Sequence, residues 1–187
     1  MSRVEQAFAK GKALITFVTA GDPDLNTTEQ LVLEMARAGA DLIELGIPFS
    51  DPVAEGPVIQ RASMRALQAG TTTDKIFALV SRVREKSDVP LALMTYFNPV
   101  FAFGMERFLN NSREVGVDAL IIPDLPFEER DEIMPYCRQY GIDLISMIAP
   151  TSKERIGRIA TEATGFIYCV SSLGVTGVRE KIGTEAE

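Results

Sequence analysis

The 187-residue chain is 46% hydrophobic and 24% charged, which suits one folded core and gives no signature of disorder. A formal net charge of −7 argues against nucleic acid or an anionic membrane as the main partner. Histidine is absent, which removes Ser-His-Asp and Cys-His machinery and the commonest metal ligand, and leaves acid–base work to carboxylates, Lys, Tyr or Cys. Cys137 and Cys169 form no C-x-x-C and fall on different predicted elements, so both read as core or near-core thiols. The N-terminus lacks a signal pattern, and apolar runs such as residues 13–18 are too short to cross a bilayer. The expectation is a soluble, cytoplasmic protein with one domain over residues 1–187.

Residues 2–9 predict a short leading helix with Val4 and Phe8 on one side, stopped by Gly11. Residues 13–19 are β-branched and aromatic and predict the first strand. A turn at Gly21-Asp-Pro-Asp24 leads to a helix capped at Asn26 or Thr27, with Leu31, Met35 and Ala38 at helical spacing. A repeat then appears. Gly39-Ala-Asp41, Gly116-Val-Asp118 and Gly141-Ile-Asp143 each close a helix and open an apolar strand, and Gly165 begins a weaker copy. Strands are predicted to begin near Ala13, Asp41, Pro90, Val117, Ile142 and Phe166, mostly about 25 residues apart, the size of one βα unit. The long interval from Asp41 to Pro90 holds a proline-rich loop and an extra helix at 59–68.

Apolar strands alternating with helices predict a parallel sheet covered on both faces. No G-x-G-x-x-G follows the first strand, against a dinucleotide-binding open sheet. Polar side chains gather at predicted strand ends: Thr19, Asp22, Glu44, Tyr96, Asn98, Asp124, Thr151 and Ser171. That is where a (β/α)8 barrel carries its active site. About six βα units are present of the eight such a barrel needs, so the last two are expected to be lacking from these 187 residues.

The densest chemistry lies in Glu44-Leu-Gly-Ile-Pro-Phe-Ser-Asp51 and on to Gln60. Pro48, Pro52 and Pro57 with Gly46 and Gly56 forbid helix and ladder alike, so Glu44, Asp51 and Glu55 sit in or beside a stiff loop. The alternative for such acids is a solvated surface turn. That does not account for a carboxylate closing an apolar run.

Glu44 through Pro52 with Gly56-Pro-Val-Ile-Gln60, Phe17 through Asp22 and Ser171 through Gly177, in that order, resemble the tryptophan synthase α chain family over residues 12–180. The resemblance implies a (β/α)8 barrel that cleaves indole-3-glycerol phosphate to indole and glyceraldehyde 3-phosphate without metal or cofactor. It also implies docking on a β chain in an α2β2 assembly. By matched position, Glu44 is the general acid toward indole carbon 3. Glu55, where the family usually has Asp, accepts the ring N–H. Phe17 and Tyr96, with Met94, either flank the indole or are ordinary barrel packing. Tyr168 lies near the glycerol or is a buried strand tyrosine. Thr176 and Gly177 belong to the closing loop, and Pro48, Asp51 and Asp124 to the partner-facing rim. The phosphate cradle of such barrels follows strands 7 and 8. Two other readings stay open: another phosphate-sugar barrel enzyme of the same pathway, and a catalytically weak subunit that mainly docks on its partner.

Overall fold

The computed structural model describes residues 2–152 and 154–170. The central strands are almost wholly apolar and buried, Glu44 being the exception, because both of their faces are covered. The strands are β1 (Ile15–Thr19), β2 (Leu42–Gly46), β3 (Leu91–Met94), β4 (Ala119–Ile121), β5 (Asp143–Leu144), β6 (Ser146–Ile148) and β7 (Ile167–Cys169). β1 to β5 form one parallel sheet in sequence order, and β6 pairs in parallel with β7. Among the described residues the strand order does not reverse, as in a barrel and unlike an open sheet with a switch point. β5 and β6 occupy one strand position. Its lower end bonds to β4 and its upper end to β7, the stagger that tilted barrel strands require. The six expected strand positions are all present.

Helices α1 (Arg3–Ala7), α2 (Leu25–Arg37), α3 (Pro57–Gln68), α4 (Thr73–Arg84), α5 (Phe97–Phe103), α6 (Met105–Val115), α7 (Met134–Tyr140) and α8 (Ile156–Glu162) fill the connections. Among the described residues no helix is long and apolar enough to cross a membrane. The sheet's outer face carries Ile43, Leu45, Leu91 and Leu93 against Phe77 and Val80 of α4 and Phe108 of α6. Its inner face carries Leu42, Ala92, Ala119 and Ile121, with Val4 of α1 closing one end. α1 is only five residues long, yet it holds through a capping box in which Ser2 and Glu5 satisfy each other's backbone N–H.

The glycine grammar is realised in the backbone: Gly39, Gly116, Gly141 and Gly165 all have positive φ. Its aspartates do a job the pattern did not disclose. Asp41 accepts the Leu14 N–H at 2.8 Å and Asp118 the Leu91 N–H at 2.9 Å, so each ties down the start of the neighbouring strand. Asp118 also pairs with Arg84 at 2.6 Å.

Three expectations need correction. Asp24, rather than Asn26 or Thr27, caps α2 by accepting the Thr27 N–H at 2.8 Å, because the first turn already begins at Leu25. The buried face of α2 is Thr28, Glu29 and Val32 while Leu31 is exposed. Glu29 is drawn inward by Arg82 and Lys86, each at 2.7 Å, which turns the helix away from its purely apolar stripe. Cys137 is buried, its thiol pushed up to about 12 by desolvation, but Cys169 is exposed rather than near-core.

Candidate active site

Glu44 sits at the centre of β2, not at its end as the apolar run suggested, because Gly46 continues the ladder to Thr19 and Met94. Alternation then decides which way its side chain points. Ile43 and Leu45 face the helices, so Leu42, Glu44 and Gly46 face the barrel interior. In register with Glu44 stand Phe17 on β1 and Ala92 on β3. Glu44 is 4% exposed, and its carboxyl has no hydrogen-bond partner among the described residues. Desolvation without compensation pushes it from 4.5 up to about 7. A carboxyl so placed holds its proton close to neutral pH, as a general acid must.

Gly46 is needed for this geometry. A Cβ there would lie 2.6 Å from the Phe17 ring, so only glycine lets that ring lie across β2. Gly46→Ala should therefore displace Phe17 and lower stability by about 1–3 kcal/mol, the range for overpacking. The urea midpoint measures it, and an unchanged midpoint would mean that the ring has free space to retreat.

The loop after β2 returns Glu55 to the same place. Tyr96, beyond β3, accepts the Ala54 N–H at 3.0 Å through its phenol oxygen and donates to Glu55 Oε1 at 3.5 Å. Phe49 packs on the Tyr96 ring at 5.5 Å. Burial first, and then the nearby acids Glu55 and Asp124, raise the Tyr96 pKa above its ordinary value. Gly56 and Pro57 end the loop and start α3, with proline at the first turn where a missing N–H costs nothing. Asp22 of the β1 loop grips Arg65 of α3 through a two-pronged pair at 2.8 and 2.7 Å, which lowers the Asp22 pKa.

Phe17, Gly46, Phe49, Glu55, Met94 and Tyr96 line one slot of about 20 Å3, with Ile59 and Ser63 of α3 on its far side. Tyr168 of β7 is half-buried on the inner face. Burial, and after it the charges of Glu44 and Glu55, raise its pKa, so the three groups share one neighbourhood. Phe49 and Ser63 were not singled out from the sequence, and Gly46, expected in a loop that forbids ladder pairing, is the last residue of the β2 ladder, two beyond Glu44 and so on the same strand face.

The rim residues differ among themselves. Pro48 is buried, whereas Asp51 is exposed and accepts a hydrogen bond from Ser50 Oγ. Asp124 is exposed too, but its carboxylate accepts the Phe97 N–H at 2.9 Å at the start of α5. Ser171, Thr176 and Gly177 lie outside the described residues.

The family model described as tryptophan synthase alpha chain matches residues 4–187. The chain belongs to the tryptophan synthase alpha chain family. The tryptophan synthase alpha chain of Alkaliphilus metalliredigens is 59% identical over 176 residues, 94% of this chain and 66% of the relative. That of Caldanaerobacter subterraneus subsp. tengcongensis is 54% identical, over 100% of this chain and 73% of its own length. The chain thus spans about two thirds to three quarters of these relatives. Among solved structures, the tryptophan synthase alpha chain of Legionella pneumophila superposes with a TM-score of 0.86 at 38% identity, covering 91% of this chain and 66% of that one. A chain of the Pyrococcus furiosus tryptophan synthase a2b2 complex gives 0.85 at 40% identity, covering 93% and 70%.

Proposed function

We propose that the chain is a carbon–carbon lyase unit, which cleaves indole-3-glycerol phosphate to indole and glyceraldehyde 3-phosphate by a retro-aldol step. The observation that carries this reading is the buried Glu44 carboxyl, in register with Phe17 and without a partner among the described residues, which desolvation raises to about 7. In this mechanism Glu44 gives its proton to indole carbon 3, which becomes tetrahedral and leaves the ring cationic. Glu55 accepts the ring N–H and stabilises that cation. The glycerol hydroxyl then loses its proton, the bond to carbon 3 breaks, and the bonding pair returns to the ring as the aldehyde departs. Glu44, ionised by the first transfer, takes the hydroxyl proton and closes the balance. Phe17 and Tyr96 flank the ring and Tyr168 borders the glycerol. Two carboxyls in unlike surroundings, one kept neutral and one ionised, suit this division of labour.

Indole release tests the reading. It is measured with the 187-residue chain, and with the same chain continued by the C-terminal part of a full-length relative, each with a β chain present. No indole from either would sink it. In the active form Glu55→Ala should lose at least about tenfold in rate, because the developing cation loses its counter-charge. Glu55→Asp should keep most of the activity, since it retains the charge one methylene shorter.

We also infer that the rim of this barrel docks a β chain, by analogy with the tryptophan synthase of Pyrococcus furiosus, which is an a2b2 complex. Proline-stiffened loops there lose little entropy on binding. Asp51→Ala should weaken association without changing the melting temperature, because Asp51 is exposed and bonds only locally. Asp124→Ala is the poorer probe, since it also removes the acceptor for the Phe97 N–H. Unaltered affinity of Asp51→Ala by calorimetry would remove that residue from the interface.

A further inference from the structure

The loop between β2 and α3 runs out into solvent and then comes back. Val53 is 73% exposed, whereas Ala54 and Glu55 directly after it are half-buried and Gly56 is buried. Ala54 is too small for apolar burial to account for the return. The residue that meets the returning chain is Tyr96, 5% exposed at the N-cap of α5. Its phenol oxygen accepts the Ala54 N–H at 3.0 Å, and its ring packs on Phe49, from the outgoing limb of the same loop, at 5.5 Å.

A phenol has a single proton to give. With Ala54 occupying the oxygen as an acceptor, that proton turns to Glu55 Oε1 at 3.5 Å. The distance is long for O–H···O, as contacts in substrate-free sites often are before they tighten around substrate. Tyr96 is itself a fixed post. On one side the Thr95 N–H donates to the Ile121 carbonyl at 3.0 Å, and on the other the Phe97 N–H donates to Asp124 at 2.9 Å. A second tie on the loop, Gln60 Nε2 to the Glu55 carbonyl at 2.8 Å, places the backbone only. Several torsions separate the Glu55 carboxylate from that backbone, so a fixed main chain does not set the direction of the charge.

We propose that Tyr96 is a positioning residue for the lyase step: its hydroxyl, and not only its ring, aims the Glu55 carboxylate at the place where the indole N–H arrives. The inference rests on the lyase reading above. A carboxylate set in place before the ring becomes cationic stabilises that charge without having to reorganise.

Tyr96→Phe keeps the ring and removes the hydroxyl. Amide hydrogen exchange on the 187-residue chain reads the hold on the loop. Ala54 should exchange about fivefold faster in Tyr96→Phe, the worth of one neutral hydrogen bond, while Ile47, whose N–H donates to the Met94 carbonyl, stays unchanged. Titration of the Tyr96 phenol reads its contact with Glu55, and Glu55→Gln should lower it by removing the neighbouring charge. In the active form Tyr96→Phe should lose roughly ten- to hundredfold in kcat, the worth of a hydrogen bond to a charged group, with KM within about twofold. Added to Glu55→Ala it should cost no more than about twofold further, because its effect passes through that carboxylate. Gln60→Ala should cost less than Tyr96→Phe. Multiplicative losses in the double variant would make Tyr96 act independently of Glu55, and a rise in KM alone would confine it to contact with the ring. An equal loss in Gln60→Ala would assign the effect to the backbone of the loop. An unchanged Ala54 exchange rate or an unchanged phenol titration would overturn the hold itself. If no form releases indole, the lyase reading and the kinetic role of Tyr96 fall together, while exchange and titration still decide whether Tyr96 holds Glu55. If Tyr96→Phe fails to fold, the phenol titration in Glu55→Gln decides.

Discussion

With Glu44 as the proposed general acid, indole release should fall by about 10²–10⁴-fold in Glu44→Gln, the span of a general acid–base contribution, while substrate binding is retained. Glutamine keeps the size and hydrogen-bonding shape of the protonated carboxyl but has no proton to transfer. If carbon 3 is not protonated, the ring cannot receive the bonding pair of the breaking bond. The loss therefore appears in kcat, as it does for a group acting only in the transition state. The pH profile gives a second check on the same residue. With its carboxyl near 7, the unsubstituted protein should lose activity as the pH rises past that value, because the acid ionises. Whatever rate remains in Glu44→Gln should not show that decline. A variant within tenfold of the unsubstituted rate, with the decline intact, would assign the proton transfer to another group.

Much of the fold could be read from local chemistry. Glycine alone takes the positive φ of a helix stop without strain, so the stops at 39, 116 and 141 were visible without any knowledge of packing. The apolar strands between them gave the parallel sheet, and the absence of a phosphate-binding glycine run narrowed its closure. Features that depend on distant partners stayed hidden. The burial of Glu29 is decided by Arg82 and Lys86, more than fifty residues away. The split at Ile145 follows from strand stagger, which exists only once neighbours are in place. In the candidate site, the stiff loop and its acids were legible because proline and glycine act locally. The hold of Tyr96 on Ala54 and Glu55 spans about forty residues and was not legible. Neither was Gly46 as the floor beneath Phe17.

The same Glu44→Gln substitution should stabilise the fold, and by an amount that depends on pH. Glu44 titrates near 4.5 when exposed in the unfolded chain and at about 7 in the folded one. Below pH 4.5 both states hold the proton, so burial of the carboxyl carries no ionisation cost. Between 4.5 and 7 the folded state keeps a proton that the unfolded state has released. Stability therefore falls as the pH rises through this window. Above pH 7 both states are ionised and the whole cost of a buried, unpaired carboxylate is felt, about 3 kcal/mol for this shift. Glutamine never ionises. Denaturation of the two proteins should give similar stabilities near pH 4.5, a gap widening through neutrality, and a constant advantage for Glu44→Gln above about pH 8. An active-site acid that weakens the fold it sits in is the expected trade between activity and stability. A gap that is flat from pH 4.5 to 8 would show that the Glu44 carboxyl is solvated or paired in the folded protein, and its suitability as the acid would fall with it.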